Sequence, residues 1–479
     1  MNGFVIVANR LPVEIGIDGQ LSTSPGGLSS AMASVAEEGT HWVGWGGAHA
    51  GRRPAFEHDG LHLHPVALSP IEVERYYAGF SNGVLWPLFH GRLRTVDLDR
   101  TWWRAYRLVN ERFAAASAEI APLGATVWIH DYHLLLAPAM IRARRPDLRI
   151  GFFLHIPFPN AQLFSILPWR REVINGMLGA DLLGFQVEED VTNFITTAER
   201  VIGTRATGAA ALERLRSITI DAFPISVDFD QWNAAGDRAQ AEADRIRAEL
   251  GVGHVFLGID RLDYTKGIVQ RLQAFGELLD EGSVCNDAST FVQVAVPSRS
   301  NVPAYQDERA DVEALVTAIN GRHVRPDGSL PIMHIETSLD EAGMAAWYRA
   351  ADTLVVTSLA DGMNLVAKEF VAARSDLGGA LVLSEFAGAA ADLDGALIVN
   401  PYDIEAIKRA MVASIDMAPA ARAARLQSMR GTVRRNDVHR WAQTFLARVR
   451  SIHRARVHEQ APRALQVVVD KPAAVGDGL

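Results

Sequence analysis

Two polar loops of this chain carry residues suited to a phosphorylated ligand. The first, Asp260–Gly267 (DRLDYTKG), follows the apolar run Val255–Ile259 and presents the cations Arg261 and Lys266. An apolar run, a polar loop and then a helical pattern predict a strand, a turn and the start of a helix. Two cations beside a helix N-terminus suit a phosphate or a diphosphate.

The second loop, Asp361–Leu365 (DGMNL), has the same setting. It lies between a strand candidate, Thr353–Thr357, and a helix candidate, Val366–Arg374. Ligands of open α/β sheets bind at the carboxyl ends of the strands, where both loops are expected. Together the two loops indicate an enzyme that breaks a bond to a phosphorylated leaving group.

Other polar residues also follow strand candidates, namely Arg10, Asp131, His155 and Arg299. If two sheets present their carboxyl ends to one cleft, these side chains converge there with those of the two loops. Most polar residues at strand ends of α/β proteins are solvated or cap helices. The functional interpretation therefore depends on the whole set and on its richness in cations.

Strand candidates recur through both halves of the chain and alternate with helical patterns. They are Phe4–Ala8, Thr126–His130, Ile150–Leu154, Leu182–Phe185, Ser217–Ile220, Val255–Ile259, Phe291–Val296, Thr353–Thr357, Leu381–Leu383 and Leu397–Val399. Such alternation predicts parallel sheets covered on both faces. The pattern resets at Pro224–Trp232, which predicts two doubly wound domains.

A late amphipathic segment completes the predicted organisation. Trp441, Phe445, Val449 and Ile452 share one helical face. We expect an N-terminal domain over 1–228, a C-terminal domain over 229–436, a helix over about 437–456 that packs back on the first domain, and a loose tail over 457–479.

Composition excludes several classes of protein. The 479 residues carry 47 Lys and Arg against 56 Asp and Glu, a net charge of −9 that argues against binding to nucleic acid or to an anionic membrane. Cys285 is the only cysteine, which excludes an intrachain disulfide. The N-terminus shows no targeting signal. A cytoplasmic enzyme is the expectation.

Ten segments of the chain, spread over roughly residues 5 to 405, resemble the trehalose-6-phosphate synthases. They are Val7–Pro12 (VANRLP), Pro25–Leu28 (PGGL), Tyr76–His90 (YYAGFSNGVLWPLFH), Trp128–Leu134 (WIHDYHL), Phe153–Pro159 (FLHIPFP), Asp181–Gln186 (DLLGFQ), Asp260–Gly267, Pro297–Gln306 (PSRSNVPAYQ), Asp361–Glu369 (DGMNLVAKE) and Ser384–Ala390 (SEFAGAA). Their number and order make the resemblance specific.

The resemblance implies both a fold and a reaction. The fold is α/β with GT-B architecture, in which two Rossmann-like doubly wound domains face a central cleft. The reaction moves glucose from a nucleotide-glucose (UDP-, ADP- or GDP-glucose) to glucose 6-phosphate and gives α,α-trehalose 6-phosphate and a nucleoside diphosphate. A homo-oligomer, either a dimer or a tetramer, is also expected. The reaction is expected to need neither a cofactor nor a metal.

Roles for single residues follow from the matched motifs. The resemblance implies donor-binding residues at Gly27, Arg261, Lys266, Asp361, Gly362, Met363, Asn364, Leu365, Val366 and Glu369. It implies acceptor-binding residues at Arg10, Tyr77, Trp86, Asp131 and Arg299. His155, Asp361, Arg261 and Lys266 are the expected catalytic group, with the two cations clamping the leaving diphosphate.

The donor configuration is retained in such a product, and no motif supplies a carboxylate nucleophile. A front-face reaction is therefore expected, in which the acceptor oxygen enters on the side from which the diphosphate leaves. Two alternatives stay open at this stage. One is a sugar phosphorylase with bound pyridoxal cofactor, and the other is a catalytically silent sensor of glucose 6-phosphate.

Overall fold

The computed structural model describes residues 3–16, 19–24, 32, 35–47, 53–93, 96–203, 209–299 and 302–452. Two largely parallel sheets dominate these residues, which confirms the predicted α/β class. No helix among them is both long enough and apolar enough to cross a membrane.

The first half of the chain builds the larger sheet. The strands of this half of the chain are β1 (Phe4–Arg10), β2 (Val13–Ile15), β3 (Leu21–Thr23), β4 (His41–Trp45), β5 (Phe56–His58), β6 (Leu61–Pro65), β7 (Thr126–His130), β8 (Arg149–Phe153), β9 (Leu182–Phe185) and β10 (Thr219–Ala222). The sheet order is β10-β9-β8-β7-β1-β4-β6-β5, with only β5 antiparallel to its neighbour. β2 and β3 form a separate antiparallel pair.

Helices cover both faces of this sheet. They are α1 (Pro70–Glu72), which continues into a π-helix (Val73–Leu85), then α2 (Trp86–Phe89), α3 (Arg100–Ile120), a 3₁₀ turn (Tyr132–Leu134), α4 (Ala137–Arg144), α5 (Ala161–Phe164), α6 (Arg170–Met177), α7 (Glu188–Gly203) and α8 (Ala209–Ser217). The π-helix is unusually long for a form that occurs mostly as single turns near functional sites.

The second half builds a fully parallel sheet. Its elements are α9 (Phe229–Arg238), α10 (Gln240–Leu250), β11 (His254–Arg261), α11 (Ile268–Asp280), a 3₁₀ turn (Asn286–Ala288), β12 (Ser289–Val296), α12 (Pro303–Arg322), β13 (Ile332–Ile335), α13 (Glu341–Ala350), β14 (Thr353–Val356), α14 (Leu365–Ala373), β15 (Ala380–Ser384), a 3₁₀ turn (Gly388–Ala391), β16 (Leu397–Val399), α15 (Ile404–Ile415), α16 (Pro419–Arg435) and α17 (Val438–Ser451). The sheet order is β13-β12-β11-β14-β15-β16.

Both sheets reverse their strand order once, as doubly wound sheets do. The second sheet reverses between β11 and β14, and the first reverses between β1 and β7. Loops that follow these two pairs of strands diverge and leave a crevice at the carboxyl edge, which is where such folds bind ligands. The fold therefore fixes two crevices before any side chain is considered.

Helix α17 returns to the first sheet. The Trp441 ring lies 5.0 Å from that of Trp128, and Phe445 stacks on Trp128 at 4.8 Å. A Cβ atom at Gly151 or Gly184 would lie 2.7 Å from the Phe445 ring, so both strands need glycine for this approach. The exact domain boundaries given above stay a prediction.

Candidate active site

The candidate site is built from the loops at both reversal points. Arg10 ends β1, and Asp131 follows β7 directly. Arg261 ends β11, while Asp361 follows β14 after a short loop. The two loops singled out from the sequence, at 260–267 and 361–365, are therefore the ones that flank the crevice of the second sheet.

The two halves of the chain contact each other at this place. Arg92 Nη2 donates to the carbonyl of Tyr264 at 3.0 Å, and Arg299 Nη2 donates to the Tyr132 hydroxyl at 3.1 Å. Gly362 lies so close to the backbone carbonyl of His155 that an added Cβ would be 2.2 Å from its oxygen. The two crevices consequently face each other.

Lys266 and Asp361 form a sheltered ion pair at the second crevice. Lys266 Nζ lies 2.5 Å from Asp361 Oδ2, and their side chains are 11% and 15% exposed. Asp361 also accepts hydrogen bonds from Ser358 and Asn364. Burial would raise the pKa of Asp361, but the charge and hydrogen bond of Lys266, together with the hydrogen bond from Asn364, lower it overall.

The segment 361–365 leads into the N-terminus of α14. Asn364 lies in the left-handed region (φ +80°), and its side chain accepts from the Ala367 N–H at 3.0 Å as the helix cap. A cap satisfies one donor and leaves other N–H groups of the first turn for an anion or a hydroxyl. Met363 is buried, while Leu365 and Val366 are partly exposed.

Glu369 lies one turn further along α14 and is nearly buried. The Tyr348 hydroxyl donates to its Oε2 at 2.8 Å. Burial raises the pKa of Glu369 to about 7. Its carboxyl group is thus poised to change charge near neutral pH.

Three guanidinium groups converge on Tyr77, which lies in the π-helix. Burial alone would raise the pKa of the Tyr77 phenol, but the net shift is downward because of the nearby charges of Arg299, Arg10 and Arg261. Arg10 also lies over the rings of Trp45 (4.8 Å) and Tyr77 (5.6 Å). So much positive charge around one partly buried tyrosine suits an anion with more than one negative charge.

Arg299 is the most firmly held of these arginines. Its side chain is buried and donates to Asp263 at 3.4 Å, to Tyr132 and, through a short contact, to the Tyr305 hydroxyl. Its backbone lies in the left-handed region (φ +48°), which costs free energy for a residue with a side chain. Such an outlier, fixed by several partners, is typical of functional sites.

Trp86 and Asp131 complete the expected acceptor set. The Trp86 ring lies 4.0 Å from the Arg299 guanidinium and 5.4 Å from that of Arg261, so it is a wall of the site. Asp131 accepts from the His155 N–H at 3.2 Å and has a left-handed backbone (φ +76°). Burial raises the pKa of Asp131 to about 6.

One residue predicted from the sequence, Gly27, lies outside the described residues. Several other residues of the site were not predicted. Tyr132, His133, Asp263 and Tyr305 were missed, although all four lie within the quoted motifs. His133 stacks on Tyr77 at 5.8 Å, and neither ring nitrogen has a hydrogen-bond partner among the described residues. That His133 lies close to charged side chains can be seen only in the folded chain.

Comparison with known proteins identifies the family. The model of glycosyltransferase family 20 matches residues 2–451. A trehalose-6-phosphate synthase of Mycolicibacterium smegmatis is 45% identical over 461 residues, covering 92% of this chain and 91% of that protein. The chain belongs to glycosyltransferase family 20. It is a glycosyltransferase of the trehalose-6-phosphate synthase class.

Solved structures agree with this family. The UDP-forming α,α-trehalose-phosphate synthase of Burkholderia xenovorans in complex with glucose 6-phosphate is 34% identical, with a TM-score of 0.85 over 94% of this chain and 100% of that one. A trehalose-6-phosphate synthase analysed with bisubstrate glycomimetics for glycosyl transfer with retention is 32% identical, with a TM-score of 0.83 over 94% and 99%. The GT-B architecture expected from the sequence is thereby confirmed.

Proposed function

We propose that the enzyme transfers glucose, with retention, from a nucleotide-glucose to glucose 6-phosphate and releases a nucleoside diphosphate. The observation that carries this proposal is the meeting of two anion-binding features in one site. The Lys266–Asp361 pair and the N-terminus of α14 suit a diphosphate sugar, while the arginines around Tyr77 suit a phosphate monoester. One relative of known structure is named as UDP-forming, which favours UDP-glucose among UDP-, ADP- and GDP-glucose. Another is named for glycosyl transfer with retention, which supports the proposed stereochemistry.

On the donor side, Arg261 and Lys266 hold the diphosphate and stabilise the charge that grows on it as the glucosyl bond breaks. Part of this stabilisation is specific to the transition state, so it accelerates the reaction. Asp361 and the N–H groups from Gly362 to Val366 bind the glucose hydroxyls and part of the diphosphate. The Glu369 carboxylate accepts from the ribose hydroxyls, and Gly27 is proposed to let its backbone approach the diphosphate.

On the acceptor side, Arg10, Tyr77 and Arg299 hold the phosphate of glucose 6-phosphate. The guanidinium group of Arg299 stays in one orientation because it is hydrogen-bonded to Asp263 and Tyr132. Trp86 forms the apolar wall against the sugar. Asp131 binds hydroxyls near the reacting oxygen and is not assigned the part of a nucleophile.

A front-face mechanism fits the state of the carboxylates. Retention by double displacement needs a free carboxylate beneath the anomeric carbon. Asp361 is already engaged by Lys266, Ser358 and Asn364, and engagement of this kind reduces nucleophilicity. In the proposed step the glucosyl–oxygen bond breaks, the acceptor oxygen enters from the same side, and its proton passes to the departing phosphate oxygen. His155 contacts the donor glucose and helps to position it.

The test is an assay of nucleoside diphosphate release with glucose 6-phosphate and each nucleotide-glucose in turn. We expect release that depends on the acceptor, fastest with UDP-glucose, and an α,α-linked disaccharide phosphate by NMR. No release with any donor, while glucose 6-phosphate still binds, would reject the proposal. A trapped glucosyl–carboxylate adduct would reject the front-face step alone. Assembly as a homo-oligomer and location in the cytoplasm stay predictions.

A further inference from the structure

The backbone N–H and carbonyl groups of His155 both contact other residues. The ring is therefore the part of His155 that decides which hydrogen bonds it can make with a ligand. Its N–H donates to Asp131, and its carbonyl lies against Gly362. The ring packs against Phe153 (4.6 Å) and Trp441 (6.1 Å). Burial lowers the pKa of His155 to about 3, so the imidazole is neutral at working pH and carries one proton on one of two nitrogens.

A backbone group determines which nitrogen of His155 accepts a hydrogen bond. The Ile225 N–H donates at 3.0 Å to Gln186, whose amide oxygen must therefore point towards Ile225. This leaves the amide NH₂ of Gln186 facing His155 Nδ1 at 3.5 Å. An amide NH₂ can only donate, so Nδ1 bears the lone pair. The opposite orientation of the amide would set two donors against each other at Ile225.

The proton of the His155 ring consequently lies on Nε2. Nε2 is 3.0 Å from His130 Nδ1, a normal hydrogen-bond distance, and donates to it. His130 is fully buried, and burial together with the nearby His155 holds its pKa well below the ordinary value. His130 Nε2 has no hydrogen-bond partner among the described residues, so no other group there imposes the opposite tautomer.

We propose that His130 and Gln186 are positioning residues that hold His155 as the Nε2–H tautomer and leave its Nδ1 lone pair for a hydroxyl of the donor sugar. The inference rests on the proposed contact between His155 and donor glucose. At 3.5 Å the Gln186 contact uses the lone pair only weakly, so a sugar hydroxyl can take it. Without His130 the ring proton would be free to move to Nδ1, where it would face the NH₂ donor of Gln186, and Nδ1 could no longer accept from the sugar hydroxyl.

The direct test is the ¹⁵N NMR spectrum of the histidine rings of the full-length enzyme, with the His155 signals assigned by their loss in His155→Gln. We expect a protonated Nε2 and an unprotonated Nδ1 throughout the neutral pH range. A protonated Nδ1, or a mixture of both tautomers, would overturn the inference. The spectrum needs no turnover, so it is read independently of the assay that tests the proposed function.

Two substitutions of His130 add a kinetic test. His130→Leu removes the acceptor of the Nε2 proton, and we expect kcat/KM for the nucleotide-glucose to fall about tenfold, the effect of one hydrogen bond, with KM for glucose 6-phosphate unchanged. His130→Asn can place an amide oxygen near the former Nδ1 position and should retain most of the activity. Unaltered kcat/KM in the leucine variant would overturn the inference.

Matched variants separate positioning from general damage. His254 is another buried histidine, bonded to Thr353 at 3.1 Å far from the site, and His254→Asn should leave both kinetic constants unchanged. If His130→Leu does not fold, Gln186→Glu replaces it, because a carboxylate accepts from the ring and should move the proton of His155 to Nδ1. A spectrum of Gln186→Glu with the proton still on Nε2 would contradict the role given to Gln186.

Discussion

At the scale of single residues, Lys266 carries the clearest electrostatic role. A unit charge about 4 Å from a leaving diphosphate contributes up to ~4 kcal/mol at an effective dielectric constant near 20. Since only part of this is specific to the transition state, we expect Lys266→Ala to lower kcat/KM roughly 100-fold to 1,000-fold. Steady-state kinetics with both substrates measures it.

The control for Lys266 is another lysine engaged by carboxylates. Lys408 pairs with Glu277 on α11, with Glu281 just after that helix and with Glu405 on α15, away from the site. Lys408→Ala should weaken the folded state and leave kcat/KM near the wild-type value. If Lys266→Ala behaved in the same way, Lys266 would have only a structural part.

Arg299 tests whether the fork of a guanidinium is needed or merely its charge. Arg299 bonds Asp263, Tyr305 and Tyr132 at once, a set that one ammonium group cannot reproduce. We expect Arg299→Lys to raise KM for glucose 6-phosphate about tenfold or more, with little change in KM for the donor. Arg309→Lys on the exposed face of α12 is the matched control, and an equal effect in both variants would contradict the assignment.

Glu369 predicts a pH dependence on the donor side. Its pKa is raised to about 7 by burial, and the ionised form is the one proposed to accept from ribose. kcat/KM for the nucleotide-glucose reports ionisations of the enzyme form that binds it. At saturating glucose 6-phosphate it should therefore fall as the pH drops below about 7, and Glu369→Gln should lose this acid limb. A limb that persists in the glutamine variant would belong to another group.

At the scale of elements, the cap of α14 connects local structure with catalysis. Asn364 caps the helix, tolerates the left-handed backbone and donates to Asp361. Asn364→Ala loses the cap and adds strain, which together should cost about 1–2 kcal/mol in the free energy of unfolding. Because the same turn presents the N–H groups proposed for the donor, kcat/KM should fall as well.

A second cap provides the comparison. Asp340 caps α13 by accepting from the Gly343 N–H at 2.8 Å. Asp340→Ala should lower the free energy of unfolding by about 1 kcal/mol, as loss of a cap usually does, without reducing kcat/KM. Thermal denaturation and kinetics of the two variants decide between a catalytic and a purely structural part for the Asn364 turn.

Some secondary-structure elements were predicted correctly from the sequence alone, and others were not. Thr126–His130 and Leu397–Val399 were predicted with the observed bounds, because short apolar runs between polar loops mark buried parallel strands. The π-helix that carries Tyr77 was not predicted. The hydrophobic periods used to predict elements from sequence are those of α-helices and β-strands, and neither one marks a π-helix. β4, β5 and β6 were not among the predicted strands, and polar residues interrupt the apolar pattern of β5 (Glu57) and β6 (His62 and His64).

The residues of the site likewise divide into those that local sequence patterns predict and those that they do not. Arg261, Lys266 and Asp361 follow from strand-end loops and charge, so chemistry points to them directly. Tyr77 and Trp86 came from the resemblance, because an aromatic residue within an apolar helix is usually core. The bonds that hold Arg299 to Asp263 depend on two loops meeting, which no local pattern records.

At the scale of the whole molecule, activity requires that the two halves stay in contact at the site. Gly362 of one half lies against the His155 carbonyl of the other, and Gly388 in turn lies against the Gly362 carbonyl. Both neighbours are backbone atoms, which cannot turn away as a flexible side chain can. A glycine here sets the distance between donor-binding and acceptor-binding groups.

Gly362→Ala should therefore separate the halves without unfolding either one. Its methyl group would lie 2.2 Å from the His155 oxygen, so the backbone must move. A displacement near 1 Å between reacting groups can cost roughly 100-fold in rate, and we expect a loss of that order in kcat/KM. Gly321→Ala, where nothing lies within 4 Å of the added carbon, is the control.

Small-angle scattering should show a larger radius of gyration for Gly362→Ala than for Gly321→Ala with both substrates bound, because only the former prevents full approach of the halves. Equal scattering and equal kcat/KM would mean that the contact yields locally and does not set the geometry of the cleft.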